Sequence, residues 1–443
     1  MTSRVVGLLA VVGVLLAACD ALDLDYLGQP PPPPLPGERI AILQLEQDLA
    51  ADPGIAETPI VLPPPIPTPN WPQNGGLVDK AMLHVAAPGD LTEAWSAGIG
   101  EGEGRFRRLI ASPVSALGVV YTMDADAEVR AFDINTGDEL WDVDLTPEIE
   151  DDGGWGGGLA FYRGRIYATT GFGEVVLLDA QTGEEYWRRT LGPPLRAAPT
   201  VSQGRLYVLT SDNELVVMDA DTGETLWTHR GIEETAGLLG GASPAISGSA
   251  VVVAYSSGEI YALQAENGRV IWSDILSYGS RIGSLAALND INASTVIDSG
   301  QVFAVSHGGR LVAIDLAAGA RLWERQLSGV QMPWVAGDYI YIVTTDGNVV
   351  CLVRADGRVR WVTPLPQYED VDERDDPIMW NGPLLVSDRL LVTSTSGQVV
   401  SISPYTGEIL GALEPGDGFP LAPIAAQETV FLIEDSGSII ALR

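Results

Sequence analysis

The sequence predicts an all-β protein, an eight-bladed β-propeller of four-stranded blades whose last blade is closed by strands from both ends of the chain. A Gly followed four residues later by a Trp recurs at Gly137/Trp141, Gly183/Trp187, Gly223/Trp227, Gly268/Trp272, Gly319/Trp323 and Gly357/Trp361. With Gly407, where Gly411 replaces the Trp, these anchors lie 38 to 51 residues apart, the spacing of four-stranded propeller blades. Starts of equivalent first strands fall near Pro113, Gly158, Pro199, Pro244, Thr295, Pro333, Pro383 and Pro423, which makes eight blades.

One repeat shows the elements in full. Short Val/Leu-rich runs at residues 199–201, 205–210, 214–219 and 224–229 are separated by turn signals at Gln203-Gly204, Asp212-Asn213 and Thr222-Gly223. In Asp219-Ala220-Asp221-Thr222-Gly223 the acidic and hydroxyl side chains can bond nearby amides while Gly supplies the positive φ of a tight hairpin. The Trp then falls on the outer strand, placed to pack on the next blade. Burying its 150–250 Å² contributes several kcal/mol as an upper estimate, at about 25 cal/mol per Å². The last repeat stops after a third strand near Ile439-Ile440-Ala441-Leu442, and residues 91–97 around Trp95 offer the fourth. Joining them removes the open edges of the ring. Trp95, Trp141, Trp187, Trp227, Trp272, Trp323 and Trp361 are therefore read as blade-docking residues.

Composition excludes several functions. The chain of 443 residues holds 50 Gly and 30 Pro, and its 25 basic against 59 acidic residues give a net charge of −34. Lys80 is the single lysine. Such a surface does not neutralise nucleic-acid phosphates, so no nucleic-acid partner is expected. His84, His229 and His307 lack metal-ligand spacing, any one of them could be a surface histidine, and no metal or cofactor is expected. Gly171-Phe172-Gly173 lies between strands without the helix a dinucleotide fingerprint needs. The acidic runs 150–152 and 369–376 read as solvated loops between blades, with Trp155 beside the first as a candidate peptide contact.

The amino terminus reads as a targeting segment. Arg4 precedes an apolar run over residues 5–16, too short to span a bilayer, and Leu16-Ala17-Ala18-Cys19 has the form of a lipobox. The expected division is a signal peptide over residues 1–18, a lipidated Cys19 with a Pro-rich tether over 19–80, and the propeller over 81–443. Proline clusters at residues 30–36 and 63–69 favour an extended, semi-rigid spacer. Asp20 resembles an inner-membrane retention signal of enteric bacteria and leaves that destination open beside the outer membrane. Cys351 is the one remaining cysteine, at the position held by Ala131, Ala262 and Ala313 in other blades, and reads as a small buried thiol.

The frame Ala-x-Asp-x-x-x-Gly-x-x-x-Trp is similar to the tryptophan-docking repeat of pyrroloquinoline-quinone propellers. Lipobox, eight repeats and residues 91–113 together resemble the BamB family, lipoproteins of the outer-membrane β-barrel assembly machine. The spacer with Leu35-Pro36-Gly37-Glu38-Arg39 resembles its alphaproteobacterial branch. The resemblance implies a non-enzymatic scaffold at the periplasmic face of the outer membrane, binding the periplasmic domains of the barrel subunit BamA and assisting unfolded outer-membrane proteins. It places partner contacts at Leu238 and Leu239 in one loop, and at Leu288, Asp290 and Asn292 in a second. Leu239 stands where the family has an Arg and Asn292 where it has a second Asp. Read from the residues alone, Leu238 and Leu239 are either exposed anchors or buried at a blade rim, and Asp290 and Asn292 are either contacts or turn caps. Two other functions fit the fold: a quinone-dependent dehydrogenase, which resembles a longer chain with a vicinal disulfide and calcium, and a lipoprotein propeller for peptides or cell-wall components.

Overall fold

A computed structural model describes residues 49–147, 156–234, 238–276, 290–370 and 373–443. They form eight four-stranded antiparallel sheets. Seven are continuous in sequence, as in the third blade, built from Thr200–Ser202, Arg205–Leu209, Glu214–Asp219 and Thr225–Arg230. In the eighth, Ile424–Ala426, Thr429–Glu434 and Ser438–Leu442 are completed by Glu93–Gly98, with Trp95 opposite Ala441. The closure expected from sequence is therefore present. First strands of neighbouring blades approach one another around the axis.

The repeat chemistry explains the turns. Asp133 Oδ1 accepts the amides of Asn135 at 2.8 Å and Thr136 at 3.1 Å, and the Gly137 amide donates to the Asp133 carbonyl at 2.9 Å. Asp179, Asp219 and Asp315 hold the same arrangement. On the outer strand Glu139–Asp144 only Trp141 and no charged neighbour is buried, because each Trp lies against the hairpin Gly of the following blade. Each of the seven predicted docking tryptophans also donates Nε1–H to a carbonyl of that next blade, from Trp95 on Ile134 to Trp361 on Pro404.

Gly411 pairs with Ser401 just as Trp361 pairs with Cys351, so it occupies the docking register of the seventh blade. Its neighbour is the eighth blade, whose third and fourth strands come from distant parts of the chain and are not joined by a Gly hairpin. A tryptophan at 411 would have no Gly turn to rest on. Cys351 is fully buried, and burial pushes its thiol pKa up.

The expected boundary at residue 80 is corrected. The compact unit runs from Leu49 to Arg443, so residues 49–80 belong to it rather than to a spacer. The extended conformation that proline imposes suits this stretch to strand-like pairing with the ring. The Trp71 amide donates to the Ser115 carbonyl and the Phe161 amide to Pro72. Gln73 exchanges two bonds with the Val201 backbone. Ile246, Ile297 and Gln427 donate to the carbonyls of Val78, Asp79 and Thr68, Val85 pairs with Leu385 and Ser387, and Trp334 Nε1 donates to Leu83. One segment thus touches the inner edge of all eight blades. It buries His84, which is 1% exposed with Nδ1 on the Pro63 carbonyl and Nε2 accepting from the Asp388 amide, so this histidine is not a surface one.

A second correction concerns the acidic run 369–376. Tyr368–Asp370 and Asp375–Pro377 pair as an exposed two-stranded hairpin between the sixth and seventh blades, where a plain loop was expected.

Candidate partner-binding site

The two loops singled out from sequence meet. One descends from the outer strand of the third blade, Thr225–Arg230, to the first strand of the fourth, Ala245–Ser247; the other leads into the fifth at Val296–Asp298. The Leu238 amide donates to Asp290 Oδ2 at 2.5 Å, and Asn292 Nδ2 donates to the Leu239 carbonyl at 2.8 Å. Ser243 N–H on Ser294 Oγ, 3.0 Å, extends the seam toward the axis.

Asp290 is 4% exposed, and its own carbonyl accepts the His307 amide. Desolvation pushes its carboxyl pKa up to about 6, opposed by the Leu238 amide and by the Arg196 guanidinium. Asp290 and Asn292 therefore bond across to the other loop and tie the two together, rather than capping a turn of their own. Leu238 and Leu239 are half-buried, between the two alternatives read from sequence. Leu288 lies outside the described residues, as do Trp155 and Cys19.

Beside the seam is a cleft of ≈ 260 Å³ lined by Leu238, Asp290, Arg196, Asp212 and Glu234. Ile232, 58% exposed, is tied to the cleft lining by its carbonyl, which accepts Asn213 Nδ2–H, and its amide donates to Glu259 Oε2. Arg196, Glu234 and Ile232 were not singled out from the sequence. They come from loops flanking the third blade and carry no motif, so only their convergence marks them. The cleft is mainly polar, with three carboxylates and one arginine beside the Leu238 side chain. Among the described residues no group of three or more His, Cys, Asp or Glu is arranged to hold a metal ion.

Residues 125–363 match the family model described as outer membrane protein assembly factor BamB. The chain belongs to the BamB family. BamB of Salmonella typhimurium is 28% identical over 362 residues, covering 79% of this chain and 88% of that protein. BamB of Xanthomonas campestris is 29% identical over 275 residues, covering 61% and 68%. Among solved structures, BamB from Moraxella catarrhalis superimposes with a TM-score of 0.68 at 19% identity, over 80% of this chain and all of that one. A quinohemoprotein alcohol dehydrogenase from Comamonas testosteroni shares the fold with a TM-score of 0.62 at 14% identity, covering 84% and 80%. Its likeness is one of architecture. Family membership rests on the BamB match, which runs from the third strand of the first blade to the sixth blade and takes in the seam around Leu238.

Proposed function

We propose that this chain is a non-catalytic, lipid-anchored scaffold for outer-membrane protein assembly, offering the Leu238–Asp290 seam to the periplasmic domains of the barrel subunit. The observation that carries this reading is the BamB family match over residues 125–363. The seam supports it: two loops distant in sequence are bonded into one surface with apolar and charged groups side by side. Leu238, Leu239, Leu288, Asp290 and Asn292 are the proposed contact set, with Asp290 acting through the loop it holds. Cys19 is the proposed anchor at the periplasmic face of the outer membrane, and the Pro-rich residues 30–39 favour the alphaproteobacterial branch of the family.

Affinity purification of the full chain at native expression, in mild detergent, tests the reading. The barrel subunit should co-purify, and Leu238→Asp should lower its recovery with an unchanged melting temperature. Absence of the barrel subunit from the native eluate sinks the proposal; recovery of cell-wall fragments in its place supports the alternative propeller lipoprotein.

A further inference from the structure

On the axis, next to the seam, lies a second cavity of ≈ 260 Å³. Its floor is the segment that crosses the ring, at Trp71, Asn74 and Gly75, and its walls are the loops that lead into the first strands. Water's share of volume would give it room for about nine molecules. In a chain with 59 carboxylates its lining holds none, and Arg196 is its one charged residue among those described. The guanidinium makes no hydrogen bond or ion pair among the described residues and its Nε is buried without a partner, although it also borders the neighbouring cleft and acts electrostatically on Asp290 there. Asp290 and Glu234 lie in the neighbouring cleft, not in this cavity.

Two further features point the same way. Lys80, the single lysine, is buried directly beneath the floor, with Nζ donating to the Asn74 carbonyl at 2.8 Å. The Trp71 indole N–H, in the floor and 2% exposed, has no acceptor. Trp71 stacks on Trp334 with centroids 6.3 Å apart, and Leu109, Leu239 and Met332 complete apolar walls. The pocket thus combines an arginine and an unpaired indole N–H with apolar walls in a strongly acidic molecule.

We infer that the axial cavity binds an apolar monocarboxylate, its carboxylate on Arg196 and its apolar body against Trp71 and Trp334. A planar guanidinium with free N–H groups pairs a carboxylate in bidentate fashion, and the aromatic floor accepts one residue-sized group. Two sources carry this chemistry: a free carboxylic acid and the C-terminal residue of a polypeptide. The cavity shares Leu239 and Asn292 with the proposed contact set, but a purified chain without any partner suffices to test it.

Calorimetry on the full chain with N-acetylphenylalanine and its amide is the experiment. Saturable binding of the acid is expected, with the amide weaker by about tenfold or more, the loss that accompanies removal of a charge-assisted hydrogen-bond pair. Arg196→Gln should cost the acid the same factor and leave the amide unchanged; Ala422→Trp, which fills the rim and keeps Arg196, should abolish both. A pentapeptide ending in free Phe that binds as well as the acid identifies a chain terminus as the source, and exclusion of that peptide identifies a free acid. Equal binding of acid and amide, full affinity in Arg196→Gln, or no saturable heat up to about 10 mM overturns the inference.

Discussion

Trp95 and Arg443 converge on one atom: the Ile134 carbonyl accepts Trp95 Nε1–H at 3.1 Å and Arg443 Nη2–H at 2.7 Å. Arg443 also exchanges backbone bonds with Thr92, both at 2.8 Å. The eighth blade is thereby fastened to the first from both of its outer strands. Trp95→Ala removes a buried indole and opens a cavity in this joint, so a loss of about 3–5 kcal/mol is expected. Arg443→Ala should cost less, since its joint retains the Thr92 backbone bonds. Urea midpoints of the two variants check the order.

Gly137 and Gly411 occupy contrasting places. A Cβ on Gly137, at φ +75°, would fall 2.5 Å from the Trp95 ring, whereas one on Gly411 would meet nothing within 4 Å. Gly137→Ala should destabilise by about 1–3 kcal/mol, from both φ strain and displacement of the indole. Gly411→Ala should stay within about 0.5 kcal/mol of the parent. Thermal melts of both variants test whether the missing Trp marks a vacant docking position.

Asp290 makes stability depend on pH. Its folded pKa of about 6 lies above the ordinary 3.8, so as pH falls through 6 the folded protein takes up a proton before the unfolded chain does. This group therefore adds stability on going from pH 7 toward pH 4, at most about 3 kcal/mol. Asp290→Asn should lose that increment while keeping an acceptor for the Leu238 amide. The difference between the urea midpoints of parent and variant, followed from pH 7 to 4, reads it out.

Lys80 has the opposite sign. Burial lowers its pKa from 10.5 to about 7, so between those values the unfolded chain binds the extra proton and stability rises with pH. Lys80→Met should flatten this rise between pH 7 and 10 and be no less stable than the parent at pH 6, where the parent must bury an ammonium ion. Matched denaturation series in the two pH ranges check both statements.

The repeat was legible from sequence because its determinants are local: an Asp that caps its own turn, a Gly at positive φ, and a Trp four residues on. Those spacings were enough for eight blades, for closure by Trp95, and for a buried Cys351. The crossing segment was not legible, because proline-rich composition specifies an extended backbone but not whether that backbone finds a partner. Its partners are inner-strand atoms from Ser115 to Gln427, assembled only when the ring closes. The site divides in the same way. Leu238 and Asp290 stand out one at a time as loop residues, but a linear chain does not reveal that one amide satisfies the other's buried carboxylate. Nor does it reveal that Arg196, unremarkable in sequence, is left without a hydrogen bond at the edge of a cavity whose lining holds no carboxylate. Blade number and docking chemistry were thus determined by short-range pattern, while burial, bond partners and the charge of each cavity were decided by closure of the ring.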